Sequence, residues 1–111
     1  MIEKGNKFKV MVNKAQQNMN IENVKVVIES LGYEFDTHEF IEKFIIMCER
    51  DYVAMLYSDI DKDGIFKAAH SKIGKFLANM SSLLDIEKTD KDYSENIKKR
   101  DTENQNWRKK V

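Results

Sequence analysis

Proline is absent from all 111 residues, and glycine occurs only at Gly5, Gly32, Gly64 and Gly74. With so few helix breakers, helices are tolerated along nearly the whole chain. One cysteine, Cys48, excludes an internal disulfide and points to a reducing compartment, the cytoplasm by default. No apolar run approaches the roughly 18 residues that cross a bilayer, and the first residues lack the apolar stretch of a secretory signal, so no membrane association is expected. Histidine occurs only at His38 and His70. There is no nucleophile elbow, no phosphate-cradling glycine loop and no dinucleotide fingerprint. A non-catalytic protein without a bound cofactor is the expectation.

What is present fits one folded domain of 13.1 kDa: 41% of residues are hydrophobic and 34% charged, too apolar for a disordered chain of this charge. The formal net charge of zero hides an uneven layout. Residues 1–26 carry five basic and two acidic groups, residues 27–70 four basic and ten acidic, and residues 88–111 eight basic and five acidic. An acidic centre between basic ends either folds those ends back or leaves them for an anionic partner.

Three helical segments stand out. Asn20 is placed to cap a helix whose apolar positions are Ile21, Val24, Val27, Ile28 and Leu31, with Gly32 beyond it as a left-handed C-cap. Asp36 and Glu39 form a capping box ahead of Phe40, Ile41, Phe44, Ile45 and Cys48. That stripe continues through Tyr52, Val53, Leu56 and Tyr57, and a break near Arg50, with Asp51 capping the second part, is the preferred reading. Beyond Gly64, the residues Phe66, Ala69, Ile73, Phe76, Leu77, Met80 and Leu84 recur at steps of three and four, and Gly74 inside that stripe costs only about 1 kcal/mol relative to alanine. Phe8, Met11, Val12, Ala15 and Met19 fit a further helix, or else residues 1–19 are a leader. After residue 84 the stripe is lost, and only Tyr93, Ile97, Trp107 and Val111 interrupt the charge from 88 onward. The expected fold class is all-α: a compact three- or four-helix bundle over residues 1–84, with a charged, extended or partly disordered arm over 85–111, folded at most into a short hairpin.

Asp59-Ile60-Asp61-Lys62-Asp63-Gly64 resembles the front half of a calcium-binding EF-hand loop, with carboxylates at positions one, three and five and glycine at six. The resemblance covers about twelve residues. It implies that Asp59, Asp61 and Asp63, with the Ile65 carbonyl, would hold calcium. The bidentate glutamate of position twelve is replaced by His70, so calcium binding would be weak, and a solvated turn between two helices is the preferred reading. His38-Glu39-Phe40-Ile41-Glu42 has one histidine where the helical zinc motif needs two, and Cys48 lies on an apolar stripe, so neither is read as a metal or catalytic site.

The most suggestive surface lies opposite the apolar stripe of the helix after Gly64. Lys67, Ser71, Lys75 and Asn79 follow at four-residue steps, with Lys72 beside them. Such a ridge is what the recognition helix of a helix-turn-helix domain presents to phosphates and base edges. The carboxyl-terminal arm adds Lys98, Lys99 and Arg100 and, after Trp107, Arg108, Lys109 and Lys110. Nucleic-acid association through these residues is the leading specific reading of a small interaction or regulatory module. The alternatives are a protein–protein interaction module or homodimer, using the six methionines and surface aromatics expected around Tyr33, Phe35, Tyr52 and Tyr57, and the weak calcium loop.

Overall fold

The helical expectation holds for the segments between Asn20 and Leu84 but fails as a description of the whole. A computed structural model, describing residues 19–95 and 101–110, contains five helices and a three-stranded antiparallel sheet among those residues. The order is α1 (Ile21–Glu29), β1 (Glu34–Asp36), α2 (Thr37–Met47), α3 (Glu49–Ser58), α4 (Ile65–Asn79), α5 (Ser81–Leu84), β2 (Ile86–Glu95) and β3 (Asp101–Lys109). The fold is therefore mixed rather than all-α. The helix or leader expected over residues 1–18 lies outside the described residues.

Local chemistry starts and stops the helices. The Asn20 side chain accepts from the amides of Glu22 (2.8 Å) and Asn23 (3.2 Å), satisfying two of the free donors of α1. At the other end Ser30 closes the helix in a right-handed conformation, its hydroxyl donating to the Val27 carbonyl at 2.6 Å. Gly32 is not in the left-handed region, so the expected glycine cap is replaced by this serine. The Asp36–Glu39 capping box forms as expected, with the Glu39 amide donating to Asp36 at 2.7 Å and the Asp36 amide to Glu39 at 2.9 Å. The break between α2 and α3 comes at Cys48, slightly ahead of its expected place near Arg50, and no side chain caps α3. Gly64, at φ +68°, makes the left-handed turn that admits α4. The long stripe expected to Leu84 is interrupted at Met80, and Asp85 at φ 56° ends the helical half of the chain.

In the segment expected as an extended arm with at most a short hairpin, Ile86–Glu95 and Asp101–Lys109 are strands packed into the body. β3 lies in the middle of the sheet, with β1 on one side and β2 on the other. Phe35 pairs with Trp107, and Trp107 with Lys88. On the face turned to the helices, Phe35, Ile86 and Trp107 join Val24, Val27, Phe40, Phe44, Met55, Ile73 and Leu77 in one buried core. The Trp107 indole N–H donates to the Thr37 hydroxyl at 3.0 Å, which in turn donates to the Gln105 carbonyl at 3.2 Å. A buried indole needs such a partner, and here it fastens β3 to the first turn of α2. Helix α2 is the hub of the molecule, touching α1, α3, α4, β1 and β3.

On the outer face of the sheet Glu34, Arg108 and Glu87 lie side by side across the three strands. Arg108 donates to Glu87 from Nε (2.9 Å) and Nη2 (2.6 Å), and that pairing, with Tyr33 and Glu34 nearby, holds its guanidinium above the ordinary range.

Candidate nucleic-acid interface

Lys67, Ser71, Lys75 and Asn79 all lie exposed along α4, opposite its buried residues Ala69, Ile73, Phe76 and Leu77. At 1.5 Å of rise per residue, Lys67 and Lys75 stand roughly 12 Å apart along the helix. Lys72 is turned elsewhere. Its ammonium donates to Asp59 Oδ1 at 2.7 Å, beneath the turn that precedes α4. Asp59 is almost wholly buried, and Lys62 approaches the same oxygen at 3.1 Å. Burial by itself raises the pKa of this carboxyl, but the hydrogen bonds and charges of Lys72 and Lys62 outweigh it and leave the group below its usual range.

The same arrangement sets how the aspartate cluster is disposed. Asp59 points into the protein and is neutralised by lysines, whereas Asp61 and Asp63 are exposed. His70, at the position where an EF-hand needs its bidentate carboxylate, bonds to the Tyr52 hydroxyl at 2.8 Å, stacks on the Tyr52 ring and meets the Phe66 ring at a tilt. Among the described residues no three histidine, cysteine or carboxylate side chains are grouped to hold a metal ion. The loop acts as a clasp between α3 and α4. Asp59 Oδ2 finds no hydrogen-bond partner among the described residues, so the clasp is held from one side of the carboxylate.

The basic residues proposed for the arm separate in the same way. Arg108 is engaged by Glu87, and the Lys109 ammonium donates to the Leu31 carbonyl at 2.8 Å, closing the end of α1. Lys110 is exposed. Lys98, Lys99 and Arg100 lie outside the described residues. Of the aromatics expected on the surface, Tyr33 and Tyr57 are there, while Phe35 and Tyr52 are buried in the core. Cys48 is half-buried against that core, and burial, with the nearby Asp51 charge, raises its thiol pKa.

Two cations that the sequence reading did not single out lie on the strand beside the α4 ridge. Lys88 pairs with Trp107 and Lys91 with Gln105, so three steps along β2 match two along β3. In a regular strand, side chains three residues apart point to opposite faces. The bulge at Thr89 and Asp90 absorbs the extra residue and returns Lys91 to the face of Lys88. Gln105 sustains it: its Nε2 group lies 3.3 and 3.2 Å from the carbonyls of Thr89 and Asp90, and 3.0 Å from that of Asn106. The result is a cleft of about 450 Å3 between α4 and the strand pair. Ser71, Gly74, Lys75 and Ala78 form one wall, and Lys88, Lys91 and Gln105 belong to the other. The only sequence signal for this pairing was a tryptophan in a highly charged stretch, a residue rarely left in water. Protein-family models, curated proteins and solved structures were compared with this chain, and none matches.

Proposed function

We propose that this protein is a small non-catalytic module that associates with nucleic acid through the exposed ridge of α4 and the lysines of β2. The observation that supports this reading most is convergence. Lys75 from the helix and Lys88 and Lys91 from the bulged strand line one cleft, and Lys67 stands exposed about two turns before Lys75 on the same helix, even though the chain as a whole is neutral. Lysines opposing phosphates release condensed counterions, so affinity falls steeply with salt even when no base is read. The single cysteine, which leaves no internal disulfide to form, makes the cytoplasm the working location of this proposal. Fluorescence anisotropy with labelled oligonucleotides at several salt concentrations tests the proposal. Four phosphate contacts give a slope of roughly −3 in log affinity against log salt. No binding at low salt, or binding indifferent to salt, contradicts it.

A second reading has its own support on another surface. Val26, Ile46 and Met47 are exposed around a depression of about 510 Å3 that Glu49, Arg50 and Asp51 also line. Two copies meeting there would bury these side chains and set Arg50 against the partner copy's carboxylates. Sedimentation equilibrium tests this: a monomer at hundreds of micromolar concentration removes it, and a dimer dispersed by Ile46→Glu supports it.

A further inference from the structure

We infer that the cleft between α4 and the β2–β3 pair seats the phosphodiester backbone of a single strand, and that Gly74 keeps this seat open. The inference rests on the proposed nucleic-acid association and specifies its ligand. A helix that reads a duplex must enter the major groove, which is about 12 Å wide and is filled by one helix of 10–12 Å diameter. Here α4 does not stand clear of its neighbours. Lys88 and Lys91 rise beside Ser71 and Lys75, and both walls line the same cleft. The strand pair therefore occupies space that the second wall of a duplex groove would need. One strand is narrow enough to lie between the walls, with Lys75 on one side of its phosphates and Lys88 and Lys91 on the other. The cleft, of about 450 Å3, is open along its length, as a chain passing through it requires.

The glycine supplies a separate observation. Gly74 lies ten residues into a fifteen-residue helix, where glycine is poorer than alanine. Its φ is not positive, and a Cβ built there meets no atom within 4 Å. Neither backbone conformation nor packing requires a glycine at this point. The space a side chain would occupy belongs to the cleft, and Ser71 and Ala78, three residues before and four after, keep the same wall low.

Anisotropy at one low salt concentration, with a labelled single strand, the matching duplex, and unlabelled inorganic phosphate and mononucleotide as competitors, tests this. The single strand is expected to bind at least tenfold more tightly than the duplex and to resist millimolar phosphate or mononucleotide. Gly74→Gln, which fills the cleft while suiting the helix, is expected to weaken single-strand binding about tenfold with an unchanged or raised Tm. Lys88→Gln is expected to weaken it several-fold. Equal or tighter duplex binding, displacement by micromolar mononucleotide, or a Gly74→Gln variant that binds as before overturns the single-strand seat while leaving general nucleic-acid association standing. Failure to bind either nucleic acid overturns both.

Discussion

The helical segment from Asn20 to Leu84 and the strand pair from Ile86 to Lys109 contribute to the same core by opposite means. Each of the longer helices presents several apolar side chains to the interior: α2 buries Phe40, Ile41 and Phe44, and α4 buries Ala69, Ile73, Phe76 and Leu77. The strand pair contributes chiefly Ile86 and Trp107, and its other described side chains are largely polar. The helices are specified by pattern and can be recognised one turn at a time. The strands are held by a few long-range attachments: an indole on Thr37, an ammonium on Leu31 and a carboxamide across a bulge. Burial by many side chains makes a region robust. Attachment at few points makes it sensitive to single changes, and here the same points shape the candidate binding cleft.

The largest effect that probes this contrast is expected from Trp107→Ala. Losing a buried aromatic should cost about 3–5 kcal/mol, comparable to Phe40→Ala in the central helix. A urea unfolding curve showing a loss under 1 kcal/mol for Trp107→Ala alone would return the strand pair to the status of a loose arm. Next comes Lys72→Met, which leaves Asp59 buried with only the exposed Lys62 for a partner and should cost about 3 kcal/mol near neutral pH. The sign of its pH dependence follows from the depressed pKa of Asp59. A carboxylate below its unfolded value of about 3.9 stabilises the fold above that pH, and the contribution is lost as pH falls through the folded pKa. The gap between wild type and Lys72→Met should therefore be widest above about pH 5 and shrink in acid. A gap that widens in acid denies the clasp.

Gln105→Ala is expected to cost about 1–3 kcal/mol, because the bulge carbonyls lose their donor. It should also weaken oligonucleotide binding by letting Lys91 leave the face of Lys88, and an affinity equal to wild type would separate the bulge from the site. The smallest effect runs the other way: Gly74→Ala should stabilise by about 1 kcal/mol, read as a raised denaturant midpoint. A destabilised Gly74→Ala would show that the fold, rather than the cleft, requires glycine there.

The contrast also explains what could be read from the chain before the fold was known. The capping box of Asp36 and Glu39, the asparagine cap at Asn20, the break between α2 and α3, and the outward ridge of Lys67, Ser71 and Lys75 are all written within a turn or two of sequence. β2 and β3 carry no such signature. Residues such as Lys88 and Lys91 have poor strand propensity, and their pairing is set by Trp107 and Gln105 further along the chain. Phe35, expected on the surface, is drawn inside for the same reason, since β1 becomes a strand only by meeting β3, whereas Tyr52 is buried from α3, its hydroxyl bonded to His70. The cations divide along this line too. Lys72 belongs to the apparent ridge by spacing, yet a carboxylate thirteen residues earlier claims it. Lys88 and Lys91 look alternate by spacing, yet a bulge brings them together.

The central claim, that α4 and the bulged strand form one binding surface, is tested most directly by backbone amide NMR during titration with a short single-stranded oligonucleotide. The account predicts shifts concentrated at Ser71, Gly74, Lys75, Lys88 and Lys91, fading as salt is raised, with Val26, Ile46 and Met47 unmoved. Shifts confined to those three apolar residues, or an unchanged spectrum at low salt, would contradict it.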